Sequence, residues 1–197
     1  MALGDGFTVE EQARWEQEYK DRWAEESAIT AWRTQNGVFE VRDEQGVCKS
    51  SPVYTEYGGW MNSSAKVDFH RHFQGRGSRF IHYRDIEGTV NPGSDSAIIA
   101  PNWPSTAQYA IYVAWPQGAN ALNVKYTIKH AGSETIVYLD QITDTNSNQW
   151  NSLGIYTFNQ GRSANDSITI SEESVTGKAT EGWGMRVYVD SFRARAV

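Results

Sequence analysis

Residues 109–161, YAIYVAWPQGANALNVKYTIKHAGSETIVYLDQITDTNSNQWNSLGIYTFNQG, decide the fold. In YAIYVAW, Tyr109, Ile111, Val113 and Trp115 alternate with Ala110, Tyr112 and Ala114, the period-2 pattern of a strand buried on one face. Pro116 and Gly118 stop it. NVKYTIKH places Val124, Tyr126 and Ile128 on one face and Lys125, Thr127 and Lys129 on the other. The turn His130-Ala131-Gly132-Ser133 then sends ETIVYLDQI back, which predicts a β-hairpin. A polar loop, Thr143 to Gln149, leads to a fourth strand, WNSLGIYTF, closed by Asn159-Gln160-Gly161. Four antiparallel strands in series predict a sheet with one face packed on a second sheet.

The same residues carry a resemblance. YAIYVAWP, Tyr126-Thr127-Ile128, His130-Ala131-Gly132, Gln141 and QWNSLGIYTFNQG, in that order and spacing, resemble the golvesin C-terminal-like domain. That family is also described as the carbohydrate-binding-like domain of xanthan lyase. The resemblance continues through SITISEE to VYVDSFRA, where Asp190 falls at the position of the family's usual ADAVRF ending. Upstream it extends loosely over VYTEYGGW and GSRFIHY, and it leaves the first 45 or so residues uncovered. It implies a non-catalytic module, of the kind appended to polysaccharide lyases and other extracellular enzymes, whose expected activity is carbohydrate binding.

Working outward, residues 8–34 predict an α-helix. Thr8 and Glu11 form a capping box, and Trp15, Tyr19 and Trp23 share one face. The helix either lies on the sandwich or docks the module to a partner. VFEVRDEQGVC (38–48) predicts a short hairpin turning at Glu44-Gln45-Gly46. The polar Lys49-Ser50-Ser51-Pro52 then marks a boundary between an N-terminal extension, 1–49, and a sandwich domain, 50–197. AKVDFHRHF, RFIHYRDI, SAIIAPNW, SITISEE and a final WGMRVYVDSFRARAV add strands, for nine or ten in all. The fold class expected is all-β, a two-sheet antiparallel sandwich of jelly-roll type with an N-terminal α-helix.

The 197 residues carry a net charge of −6, which argues against nucleic acid or an anionic membrane as partner. Residues 1–34 hold eight acids and four bases, so most of the excess sits there. No apolar run approaches the roughly 18–20 residues of a membrane span, and no signal peptide is visible. The single Cys48 allows no internal disulfide. No nucleophile elbow, phosphate loop or dinucleotide fingerprint is present. Asp68, Asp85, Glu87, Asp140 and Asp190 lie in or near strands, but nothing pairs two of them for glycoside hydrolysis, so no enzymatic activity is expected. His70-x-His72 with His82 has spacing usable by a metal, but exposed strand histidines next to Arg71 are the favoured reading. Asp190, in an apolar strand, is read as a structural acid or as one ligand of a structural calcium. No other cofactor is indicated.

The aromatics are the remaining signal. Trp115 and Trp150 read as core. Trp60, Trp103 and Trp183 stand in loops flanked by Gly or Pro, where a ring can stack on a sugar, and Tyr57 joins them. Asn62 or Gln74 would add hydrogen bonds. The expected function is non-catalytic polysaccharide or glycan binding within a larger extracellular or cell-surface protein. The competing class is a structural or assembly protein that docks to a partner, or to itself, through helix 8–34.

Overall fold

The computed structural model describes residues 39–50, 52–58, 60–63, 65, 78–82, 95–142, 146–175 and 186–197. The helix expected at 8–34 and the strand AKVDFHRHF lie outside these residues, apart from Ala65. The described strands are β1 (Phe39–Arg42), β2 (Cys48–Ser50), β3 (Val53–Tyr57), β4 (Met61–Asn62), β5 (Arg79–His82), β6 (Ser96–Ala100) and β7 (Ala107–Ala114). They continue with β8 (Asn120–His130), β9 (Ser133–Ile142), β10 (Asn151–Phe158), β11 (Ser167–Ser171), β12 (Arg186–Val189) and β13 (Ser191–Ala196).

The four strands of the deciding stretch form as predicted, but they do not make one sheet. β10 and β7 are neighbours in sheet I, ordered β10-β7-β13-β1-β2, whereas β8 and β9 end sheet II, ordered β3-β6-β11-β8-β9. The chain changes sheets after Trp115-Pro116 and returns before β10. Alternation fixes which side of a strand is buried, and two facing sheets bury the same kind of side, so the pattern cannot assign a strand to either one. Within sheet II the hairpin is regular: Tyr126 opposes Val137 and Lys129 opposes Glu134. Its two-residue turn has positive φ at both Ala131 (43°) and Gly132 (80°), the type I′ geometry that suits the strand twist.

Tyr109, Ile111 and Val113 of β7, Phe192 and Ala194 of β13, and Val41 of β1 face Ile99, Ile168, Ile170, Tyr126 and Ile128 of sheet II in one buried cluster. Trp115, past the end of β7, belongs to it as expected. Trp150 does not: it is half-buried, with the Arg193 guanidinium 4.4 Å from its ring centre.

Two further expectations are corrected. The hairpin at 38–48 forms, with Gly46 N–H bonded to Asp43 O at 3.0 Å, but it is no separate extension. β1 runs parallel to β13, with Phe39 opposite Phe192, so the sandwich includes residues ahead of the boundary expected at 50. The final segment is not one strand either. It breaks at Asp190, with β12 in a three-stranded sheet, β12-β5-β4, and β13 in sheet I. Asp190 is buried and accepts the Ser191 hydroxyl at 2.9 Å, at the point where the chain changes sheets.

Polar side chains join the layers. Buried Gln141 donates to Tyr126 Oη (2.8 Å) and Tyr188 O (3.0 Å) and accepts the Tyr188 N–H (2.7 Å), fastening β12 to the β8–β9 hairpin. Glu56 accepts Arg79 Nε at 2.6 Å and Tyr54 Oη at 2.9 Å, tying β3 to β5. Asp166 accepts the backbone N–H of Ala131 (2.9 Å) and of Asn159 (3.1 Å), so one carboxylate holds the sheet II turn against the end of β10.

Candidate functional site

The outer face of sheet II is built by the strict alternation of its five strands. Tyr126, Ile128, Ile168, Ile170, Ile99 and Tyr54 point inward and are buried. The intervening residues therefore point out. Strand register sets them in rows: Tyr138 opposes Lys125, Lys125 opposes Ser171, Ser171 opposes Ser96, and Ser96 opposes Tyr57. The next row runs Ile136, Thr127, Thr169, Ile98, Thr55. Tyr57 and Tyr138 are 51% and 52% exposed, and Ile136 is 44% exposed. Two tyrosine rings thus stand at opposite edges of one face, with Lys125, hydroxyls and apolar side chains between them. Lys125 is paired with Glu173 at 2.6 Å, and Lys129 opposes Glu134. At the turn end of the hairpin, Lys129, Gly132, Ser133, Glu134 and Asn165 line a depression of about 340 Å³.

Among the described candidate binding residues, Tyr57 alone lies on this face. Trp103 is 1% exposed, stacks on Phe158 at 3.8 Å between ring centres and donates its indole N–H to Asp166 O at 3.0 Å. Its backbone also bridges to Gly161 in both directions, at 3.0 and 2.9 Å. An indole so covered offers no face to a sugar. Trp60 is 8% exposed and spends its N–H on Ser96 O at 3.0 Å, packing under the β6 end of the sandwich. Trp183 and Gln74 lie outside the described residues, as do His70 and His72; for Asn62 and His82 only the backbone is described.

Sequence reasoning missed Tyr138 and Ile136. The signal was present: ETIVYLDQI alternates Val137 and Leu139 with Ile136 and Tyr138, so one apolar set had to face outward.

Asp68, Asp85 and Glu87 lie outside the described residues, and the other two candidate acids form no displayed pair. Asp140 is exposed and caps the Asn123 N–H at 2.9 Å, while Asp190 is buried. Glu172 is 3% exposed, with Oε2 buried and without a hydrogen-bond partner. Burial, and secondarily the charge of Asp95, push its carboxyl up to about 7. This pair sits at the end of the sandwich interior, and Glu172 is closed to a substrate. Among the described residues, no three His, Cys, Asp or Glu side chains gather as metal ligands.

No curated protein matches the chain. Among solved structures, the xanthan lyase of Paenibacillus matches 73% of this chain and 12% of its own length, at 24% identity and a TM-score of 0.56. The shared fold is the content of that likeness, and the chain spans only a small part of the lyase. The CBM22-1 xylan-binding domain of Paenibacillus barcinonensis Xyn10C matches 73% of this chain and 85% of its own, at 17% identity and a TM-score of 0.36. The family described as the Golvesin C-terminal domain matches residues 48–180, two thirds of the sequence and all of the motifs from VYTEYGGW to SITISEE, so the chain belongs to the Golvesin C-terminal domain family.

Proposed function

We propose that this domain is a non-catalytic glycan-binding module, an accessory part of a larger extracellular or cell-surface protein, and that it holds its ligand on the outer face of sheet II. One observation carries the reading: Tyr57 and Tyr138 both stand half-exposed on a single face, with hydroxyls, threonine methyls, isoleucines and the Glu173-paired Lys125 in the rows between them. The apolar C–H face of a pyranose packs on an aromatic ring, while its equatorial hydroxyls need donors and acceptors nearby. Ser96, Ser171, Thr127 and Thr169 supply both at the right level of the surface. Membership of the Golvesin C-terminal domain family supports the reading, and so does the fold shared with part of a polysaccharide lyase.

The test is affinity electrophoresis through soluble polysaccharides, together with pull-down on insoluble ones, for the wild type, Tyr57→Ala and Tyr138→Ala. Each substitution is expected to weaken binding about tenfold, equivalent to about 1.4 kcal/mol. Tryptophan emission and the melting midpoint stay unchanged, because neither ring is in the core. Retardation equal to wild type in both variants would remove sheet II as the binding face.

A further inference from the structure

The placement of the two tyrosines says more than that a sugar binds. Resting on the reading above, we infer that the ligand is an uncharged glycan chain lying across the strands, long enough to reach from Tyr57 to Tyr138. The two rings are at the first and last strands of sheet II, in one register row. Four interstrand steps of about 4.8 Å separate them by roughly 19 Å. The next outward rows, Ile136 to Thr55 and then Glu134, Lys129 and Ser167, follow at steps of about 7 Å, two residues along a strand. The strip that joins the two rings therefore runs across the strands. A chain laid parallel to the strands meets one tyrosine, and only a crossing chain meets both.

Charge on the strip selects the class. Between the rings the first row carries Lys125, already bonded to Glu173, and the two serines. The second row, Ile136 to Thr55, carries no charge at all. Lys129 and Glu134 face each other one row nearer the hairpin turn, outside these two rows. Over the two rows, among the described residues, uronate, pyruvate or sulfate groups on a glycan would lose water without meeting an unpaired cation. Neutral hydroxyls exchange water for serine and threonine hydroxyls at little cost.

The experiment has two stages. A panel of neutral polysaccharides (β-glucan, xylan, galactomannan) and charged ones (xanthan, polygalacturonate, a sulfated galactan) is screened with the whole chain. Oligosaccharides of increasing length from each polymer that binds are then titrated calorimetrically. The inference expects binding among the neutral polymers, with affinity rising steeply until the oligosaccharide spans both rings. In the double variant, Tyr57→Ala with Tyr138→Ala, a long oligosaccharide is expected to bind about 100-fold more weakly, while a disaccharide is expected to change about tenfold or less. Binding confined to charged polymers would overturn the inference and leave the glycan reading in place. Affinity independent of length, or a double variant no worse than either single one, would do the same. Silence across the whole panel would remove the glycan reading itself.

Discussion

The two outer faces of this sandwich are made by the same alternation and finished differently. On sheet I the outward residues of β1 and β13 are Glu40, Arg42, Arg193 and Arg195, and Glu40 joins two of the arginines. Glu40 is buried and accepts Arg42 Nη2 at 2.7 Å and Arg193 Nε on its other oxygen. Arg193 in turn lies over Trp150, and Arg195 Nη2 reaches Glu44 O at 3.0 Å. On sheet II, Lys125 is paired with Glu173, and the tyrosine rows around it expose tyrosines, an isoleucine and hydroxyls. A face whose polar groups are used up internally contributes to stability, whereas one that leaves its rings and hydroxyls open is available to a ligand.

The largest expected effect breaks the sheet I side of this contrast. Glu40→Ala leaves Arg42 and Arg193 facing each other with their shared counter-ion gone. The loss expected is about 3 kcal/mol in urea denaturation. Glycan binding by the folded variant stays as in wild type. Burial raises the Glu40 carboxyl, but the two guanidinium hydrogen bonds outweigh it and hold the group below its ordinary 4.5. Its contribution is therefore present at neutral pH and is lost as pH falls below about 4.5. If Glu40→Ala proves neutral in stability, or weakens glycan binding, the division of labour between the faces fails.

Glu172 gives the opposite sign at the end of sheet II. Burial first and Asp95 second raise its carboxyl to about 7 from an ordinary 4.5. The folded chain then holds the proton more tightly than the unfolded chain does, so stability falls as pH rises from about 4.5 to about 7. Allowing for solvent screening, the loss is about 1–2 kcal/mol. Glu172→Gln is expected to remove that slope while leaving the acid limb set by Glu40. Melting curves from pH 4 to pH 8 compare the two, and parallel pH profiles for variant and wild type would sink the assignment.

These contrasts mark what was legible in the sequence. The inward set of β8, with Val124, Tyr126 and Ile128, was read correctly from alternation alone, and so was the hairpin at Ala131-Gly132. Local signals reached no further than local structure. Nothing in WPQGA or in the loop before Trp150 says that the chain changes sheets, because that choice is made by which strands meet across the core. Trp60 and Trp103 misled for a related reason. Neighbouring Gly and Pro mark a break in regular structure, but a broken segment can fold inward, and Trp103 is fixed there by Phe158 and the Asp166 carbonyl, which is 63 residues away. Asp166 itself carried no local signal, since its partners at Ala131, Asn159 and Trp103 come from three separate loops.

The smallest effect sharpens the comparison at the hairpin turn. Ala131 has φ of 43°, where a side chain with Cβ is disfavoured and Asn or Gly is preferred at the first position of a type I′ turn. The native alanine is tolerated because its N–H is anchored by the buried Asp166 carboxylate at 2.9 Å. Ala131→Asn keeps that N–H, relieves the backbone and places its amide in solvent, since Ala131 is exposed. The expected gain is about 0.5–1 kcal/mol, read as a higher urea midpoint with an unchanged slope. The turn is at the hairpin end of sheet II, off the tyrosine row, so a stabilised variant should bind glycan as the wild type does. A gain in stability accompanied by a change in affinity would mean that the β8–β9 hairpin moves when ligand binds, and that the outer face of sheet II is not preformed.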